Sequence, residues 1–139
     1  MILLLLTLLS FQSEERKQYC LADPVTGQVT STLIRTLEGG VRQVLIDGDW
    51  QPEPPPGPQA VDLDWYRSGE PIVRDGIRYL QDGDEWAPGA VGRYLRDAGL
   101  YRGAAVMTIW PGGDIDLAVL VHQEGCIFRT YVRDDPKSG

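Results

Sequence analysis

Histidine and cysteine are nearly missing from this 139-residue chain, which holds one of the first and two of the second. A lone His122 with Cys20 and Cys126 far apart is a poor ligand set for a transition metal, which wants three or four N or S donors together. Several chemistries also lack their local pattern. There is no Gly-x-Ser-x-Gly elbow, no His-Glu-x-x-His helix and no phosphate loop. No stretch alternates Asp or Asn around a central Gly with a closing Glu, so there is no EF-hand loop. No cofactor is implied. Positive charge is short too, 13 Lys and Arg against 20 Asp and Glu, and the net charge of −7 counts against nucleic acid and anionic membrane surfaces as partners. No apolar run reaches the ~20 residues of a membrane-spanning helix, so no stable span is expected.

What is present suits one compact domain over residues 14 to 139, since 42% of the residues are hydrophobic. Ahead of it, Met1 to Phe11 is almost wholly apolar and is followed at once by Gln12-Ser13-Glu14-Glu15-Arg16-Lys17, the profile of a secretory h-region. Residues 1 to 13 are read as a signal or hydrophobic leader, which places the protein in the periplasm or outside the cell. If the leader instead belongs to the fold, the compartment is the cytoplasm. In the exported case the pair Cys20 and Cys126 invites a disulfide; in the other the two are buried free thiols.

The C-terminal third carries the clearest folding pattern. Pro111-Gly112-Gly113-Asp114 and Glu124-Gly125 separate three apolar runs, Ala104 to Trp110, Ile115 to Gln123 and Cys126 to Arg133, and predict an antiparallel meander. With a two-residue turn at Glu124-Gly125, Asp116 falls opposite Arg133, and Asp116, His122, Arg129, Tyr131 and Arg133 share one mixed face of a last strand that lies at the sheet edge. Val91, Tyr94, Leu95 and Ala98 fall at helical spacing between Pro88 and Gly99, which predicts a short helix over about 89 to 98 packed on that sheet.

Upstream, Asp23-Pro24-Val25-Thr26-Gly27 predicts a turn between strands, Glu38-Gly39-Gly40 a hairpin from Val29 to Ile46, and Asp75-Gly76 another within Ile72 to Leu80. Pro52-Glu53-Pro54-Pro55-Pro56-Gly57-Pro58 predicts an extended, solvated loop. The fold class expected is α+β: an antiparallel sheet of about six to eight strands with one helix.

Acidity is local. Asp47 to Glu85 holds ten carboxylates against three arginines, an excess equal to the whole net charge; Trp50 and Trp65 lie within it and Trp86 follows directly. Aromatics beside acids can line a site, so the leading expectation is a small exported, non-catalytic binding protein whose partner, a protein or small ligand, meets Trp50, Trp65 and Trp86, with Asp116, His122, Arg129 and Tyr131 as a second candidate group. A carboxylate-based hydrolase is the alternative, with two of Asp47, Asp49, Asp62, Asp64, Asp82, Asp84 and Glu85 acting as acid and base. A third reading uses such carboxylates to hold a structural calcium ion.

Overall fold

In a computed structural model, which describes residues 14–88, 95–109 and 116–134, the chain is built almost wholly of antiparallel strands. Four form a small sheet in sequential order: β1 Glu15–Ala22, β2 Val29–Thr36, β3 Arg42–Ile46 and β4 Asp49–Pro52. Six form a larger one: β5 Ile72–Arg74, β6 Ile77–Trp86, β7 Leu95–Tyr101, β8 Ala104–Ile109, β9 Asp116–His122 and β10 Ile127–Arg133, in the order β5-β6-β10-β9-β8-β7. Among the described residues the helical part is small: two 3-10 turns and a single α-helical turn, α1 Asp64–Arg67. The fold is thus mainly β with a C-terminal meander, rather than α+β.

Local chemistry explains the hairpins. Asp47-Gly48 and Asp75-Gly76 each place both residues at positive φ, the geometry that two-residue hairpin turns require and that Asp and Gly tolerate. The β1–β2 turn is closed by Asp23, whose Oδ1 accepts from the backbone N–H of Val25 at 2.7 Å and of Thr26 at 2.9 Å.

The central strands of the large sheet are buried on both faces. Ala104, Val106, Leu117, Val119, Val121 and Tyr131 join Trp65 and Tyr66 in one core, under the helical turns of residues 60–67. Ala105, Met107, Ala118, Leu120 and Phe128 face the other way, where Cys20 and Ala22 of β1 cover them. Burial on two sides removes the period-2 pattern that marks a one-sided strand.

That is why the expected helix over 89 to 98 is not found where it can be tested. Residues 89 to 94 lie outside the described part, and Leu95–Tyr101 is an edge strand paired with β8. Leu95 and Ala98, read as one helical face, serve the two opposite cores instead. A bulge between Asp97 and Leu100, with Gly99 at φ 90, then puts Tyr101 on the same side as Ala98. Three further expectations are corrected. The last strand is not an edge, since β10 lies between β6 and β9. Its loop is four residues, Gln123 to Cys126, and the pairing slips after Ile127 opposite His122, so that Phe128 meets Leu120 and Tyr131 meets Leu117. Asp116 is therefore not opposite Arg133, whose partner in register is Tyr79 of β6. The proline-rich run is pinned rather than wholly solvated: Pro52 ends the edge strand β4, and the buried Pro58 accepts from the Ala105 N–H at 3.0 Å.

The two sheets touch closely at Gly27, where an added Cβ would lie 2.4 Å from the carbonyl oxygen of Gly99 and the backbone stands at φ +77. Gly39 also has positive φ, but open space around it. Gly27→Ala should therefore lower stability by ~3 kcal/mol, from backbone strain plus overpacking, and Gly39→Ala by ~1 kcal/mol, from strain alone. Urea midpoints of the two variants against the parent check the difference.

Candidate functional site

The residues singled out from sequence do not gather in one place. Trp50 of β4 lies on the small sheet, its ring centroid 4.2 Å from the guanidinium carbon of Arg35 and 5.3 Å from that of Arg16. Trp65 is a core residue: it meets Tyr101 edge-on at 5.1 Å, and its indole N–H donates to the Arg102 carbonyl at 3.0 Å. Trp86 lies on the opposite face of the large sheet, stacked on Phe128 at 5.6 Å and donating to Thr130 Oγ1 at 2.8 Å. Each indole is held by the fold at a separate position, so the three make no common binding surface. The seven carboxylates of the hydrolase alternative are all exposed, and none lines the cleft between the two sheets. Among the described residues no three or more His, Cys, Asp or Glu side chains converge as a metal site would need.

Several of the named residues do meet beside α1. Tyr131, wholly buried, accepts from Gln81 Nε2 at 2.9 Å, and the same nitrogen donates to the Tyr66 carbonyl at 2.9 Å. The Tyr66 hydroxyl donates to Glu85 at 2.6 Å, with Arg129 as its other hydrogen-bond partner, and His122 Nε2 stands 3.8 Å from the same carboxylate. Burial, followed by the Glu85 contact, pushes the Tyr66 phenol up to about 12, so it remains a neutral donor at neutral pH. Asp116 is half-buried at the start of β9, opposite Ile109.

A second arrangement lies at the β9–β10 loop, where the sequence pointed to the cysteine pair but not to the side chains around it. Cys20 and Cys126 form a disulfide, with Cα atoms 5.0 Å apart and a sequence separation of 106. Beside it the buried Gln123 joins three segments. Its Nε2 donates to the Cys20 carbonyl at 3.1 Å, its Oε1 accepts from the Gly57 N–H at 2.7 Å, and its own N–H donates to Gln59 Oε1 at 2.8 Å. Its carbonyl accepts from the N–H groups of Cys20 and Cys126 at 2.9 and 3.0 Å. Outside, Arg42 holds Glu53 at 2.8 Å and also grips Glu124, which Lys17 reaches at 3.2 Å.

Between this clamp and the Gly27 contact the sheets stand apart and enclose a cleft of about 790 Å³. Its apolar lining includes Val29, Leu95, Met107 and Phe128 with the cysteine pair, and its polar lining includes Gln18, Ser31, Arg96 and Asp97. Register explains the first wall: Gln18, Cys20 and Ala22 alternate on one face of β1, opposite Leu33, Ser31 and Val29 of β2. Asp97 fixes the far side by accepting from the Val29 N–H at 2.9 Å. Nothing local in the sequence marks such a site, because its residues come from five strands of two sheets, the β9–β10 loop and the Ala87-Pro88 segment.

No family model matches the chain, and no curated protein or solved structure matches it. No helix among the described residues is long and apolar enough to cross a membrane.

The clamp gives a signed pH dependence. The hydrogen bond from Arg42, and then that from Lys17, hold the Glu124 carboxyl below its ordinary value of 4.5. The fold thus binds this proton more weakly than the unfolded chain does. The stabilisation is complete above about pH 4.5 and is lost as pH falls through the lower folded value. The pair is partly exposed, so about 1 kcal/mol or less is at stake. Melting temperatures from about pH 6 to about pH 3 should fall for the parent, while Glu124→Gln starts lower and shows a shallower acid limb.

Proposed function

We propose that this chain is a non-catalytic binding protein of an oxidising compartment, which takes a small, uncharged apolar molecule into the cleft between its two sheets. The observation that carries the reading is the cleft itself. Its volume of about 790 Å³ suits a small-molecule site. Its composition, an apolar floor with a few polar groups, is what such sites use to hold an apolar body and orient one end of it. Met107 adds an adaptable wall, since an unbranched thioether can fit bodies of different outline.

The compartment is supported by the disulfide, because a buried bond joining segments 106 residues apart persists where thiols are not kept reduced. It agrees with the apolar leader expected over residues 1 to 13, which lies outside the described residues. Binding through the acidic middle loses support once Trp50, Trp65 and Trp86 stand apart. Acid and base catalysis by its carboxylates loses support with their exposure.

Titration with N-phenyl-1-naphthylamine, an uncharged apolar fluorophore, tests the reading. The folded protein should bind one equivalent with saturable fluorescence enhancement. Ser31→Trp, which fills the cleft from an exposed position, should weaken binding by about tenfold or more with little change in melting temperature. Absence of saturable binding, or equal binding by the Ser31→Trp protein, would overturn it.

A further inference from the structure

We infer that the Cys20–Cys126 disulfide is a thiol–disulfide exchange site, addressed through the cleft by a small apolar thiol while the protein stays folded. This rests on the cleft admitting a small molecule, as the binding reading does.

Three observations carry it. First, the two cysteines are only 2% and 3% exposed, yet both line the cleft, so a molecule seated there lies against the pair. Cys20 projects from β1 on the same face as Gln18, Val29 and Ser31, and packs in one cluster with Met107, Phe128 and Cys126.

Second, the bond is not needed to keep β1 in place. The Cys20 N–H bonds the Gln123 carbonyl at 2.9 Å, the Gly125 N–H bonds the Gln18 carbonyl at 2.8 Å, and Gln123 Nε2 bonds the Cys20 carbonyl at 3.1 Å. The two backbone bonds set Tyr19 opposite Glu124 as a β-bridge, and Lys17 reaches Glu124 at 3.2 Å. Opening the disulfide leaves all of these intact. The cost is the chain-entropy contribution of the cross-link, which leaves the native state destabilised but still held together.

Third, Cys126 stands at φ 55, in the left-handed region that side-chain-bearing residues seldom adopt. It directly follows Gly125 at φ 84 in a loop that could have placed glycine there. Such backbone outliers gather at working positions, and here the outlier carries one of the two sulfurs.

The step balances without any other reagent. A thiolate in the cleft attacks one Sγ, the sulfur–sulfur bond breaks, and a mixed disulfide forms while the other cysteine leaves as a thiolate. A second thiolate then attacks the mixed disulfide at the ligand's sulfur. The ligand departs as its own disulfide, and both cysteines are left reduced.

The test uses the full oxidised chain under native conditions with benzyl mercaptan as the apolar thiol and glutathione as the hydrophilic one. Samples are quenched by alkylation and read by intact mass. At equal thiolate concentration benzyl mercaptan should open the disulfide about tenfold or more faster than glutathione, and faster than the chain unfolds globally. The far-UV circular dichroism of the reduced protein should remain that of the oxidised one. Ser31→Trp should slow the reaction, and in the parent saturating N-phenyl-1-naphthylamine should slow it equally, which keeps the test decisive if the variant folds poorly. Exchange that waits on global unfolding, or that is indifferent to an occupied cleft, overturns the inference. If the fluorophore binds in that case, the binding reading survives alone; if it does not bind, both fall.

Discussion

Gln123 is the point on which the arrangement of the two sheets depends, because its side chain and backbone bond β1, the proline-rich run and the end of β9 at once. A buried amide is stabilising only when its partners are all supplied, and each lost partner would leave a desolvated group costing about 1–3 kcal/mol. Here Cys20, Gly57, Gln59 and Cys126 supply them, so the position of each segment is conditional on the others. The disulfide lies in the same place and ties Cys20 to Cys126 covalently. Arg42 extends the clamp outward, holding Glu53 beside the proline-rich run and Glu124 in the β9–β10 loop.

From that clamp the rest follows by packing. Small side chains, Ala22, Ala105 and Ala118, let the sheets approach beside the disulfide, and Gly27 lets its backbone meet that of Gly99 at the other anchor. Between the anchors the lining side chains do not close the gap, and the cleft remains. Trp86 stacks on Phe128, one of the cleft residues, while Trp65 belongs to the opposite core. The large sheet thus has one face given to aromatic packing and one face shared between a core and a cavity.

The turns were legible in the sequence, because Asp23 to Gly27 and Asp75-Gly76 are local chemistry and their effect is local. The β8–β9 pairing was legible for the same reason, since Pro111-Gly112-Gly113-Asp114 separates the two apolar runs that pair, Val106 with Val119 and Thr108 with Leu117. Elements buried on two sides were not. Leu95 and Ala98 are three apart in a strand that serves two cores, and that spacing cannot be told from a helical face. The turn before β8 was hidden as well, since Arg102-Gly103 at φ 45 and 93 uses an arginine where turns favour Asn or Asp. Asp82-Gly83-Asp84 has the composition of a turn but lies within the ten-residue β6, where the pairing with β10 slips. For the candidate site, the pairing of Cys20 with Cys126 could be anticipated from their count. Gln123, Met107 and Ser31 could not, since what makes them a site is the meeting of distant strands.

Amide hydrogen exchange in the parent and in Gln123→Leu measures the clamp directly. If one shared set of hydrogen bonds positions all three segments, the amides of Cys20, Gly57 and Gly125 should be protected to a similar degree in the parent. All three should then lose protection together in the variant, while the β8 and β9 amides keep theirs. Loss confined to Gly57, with Cys20 and Gly125 unchanged, would contradict the account and leave the disulfide alone as the link between the sheets.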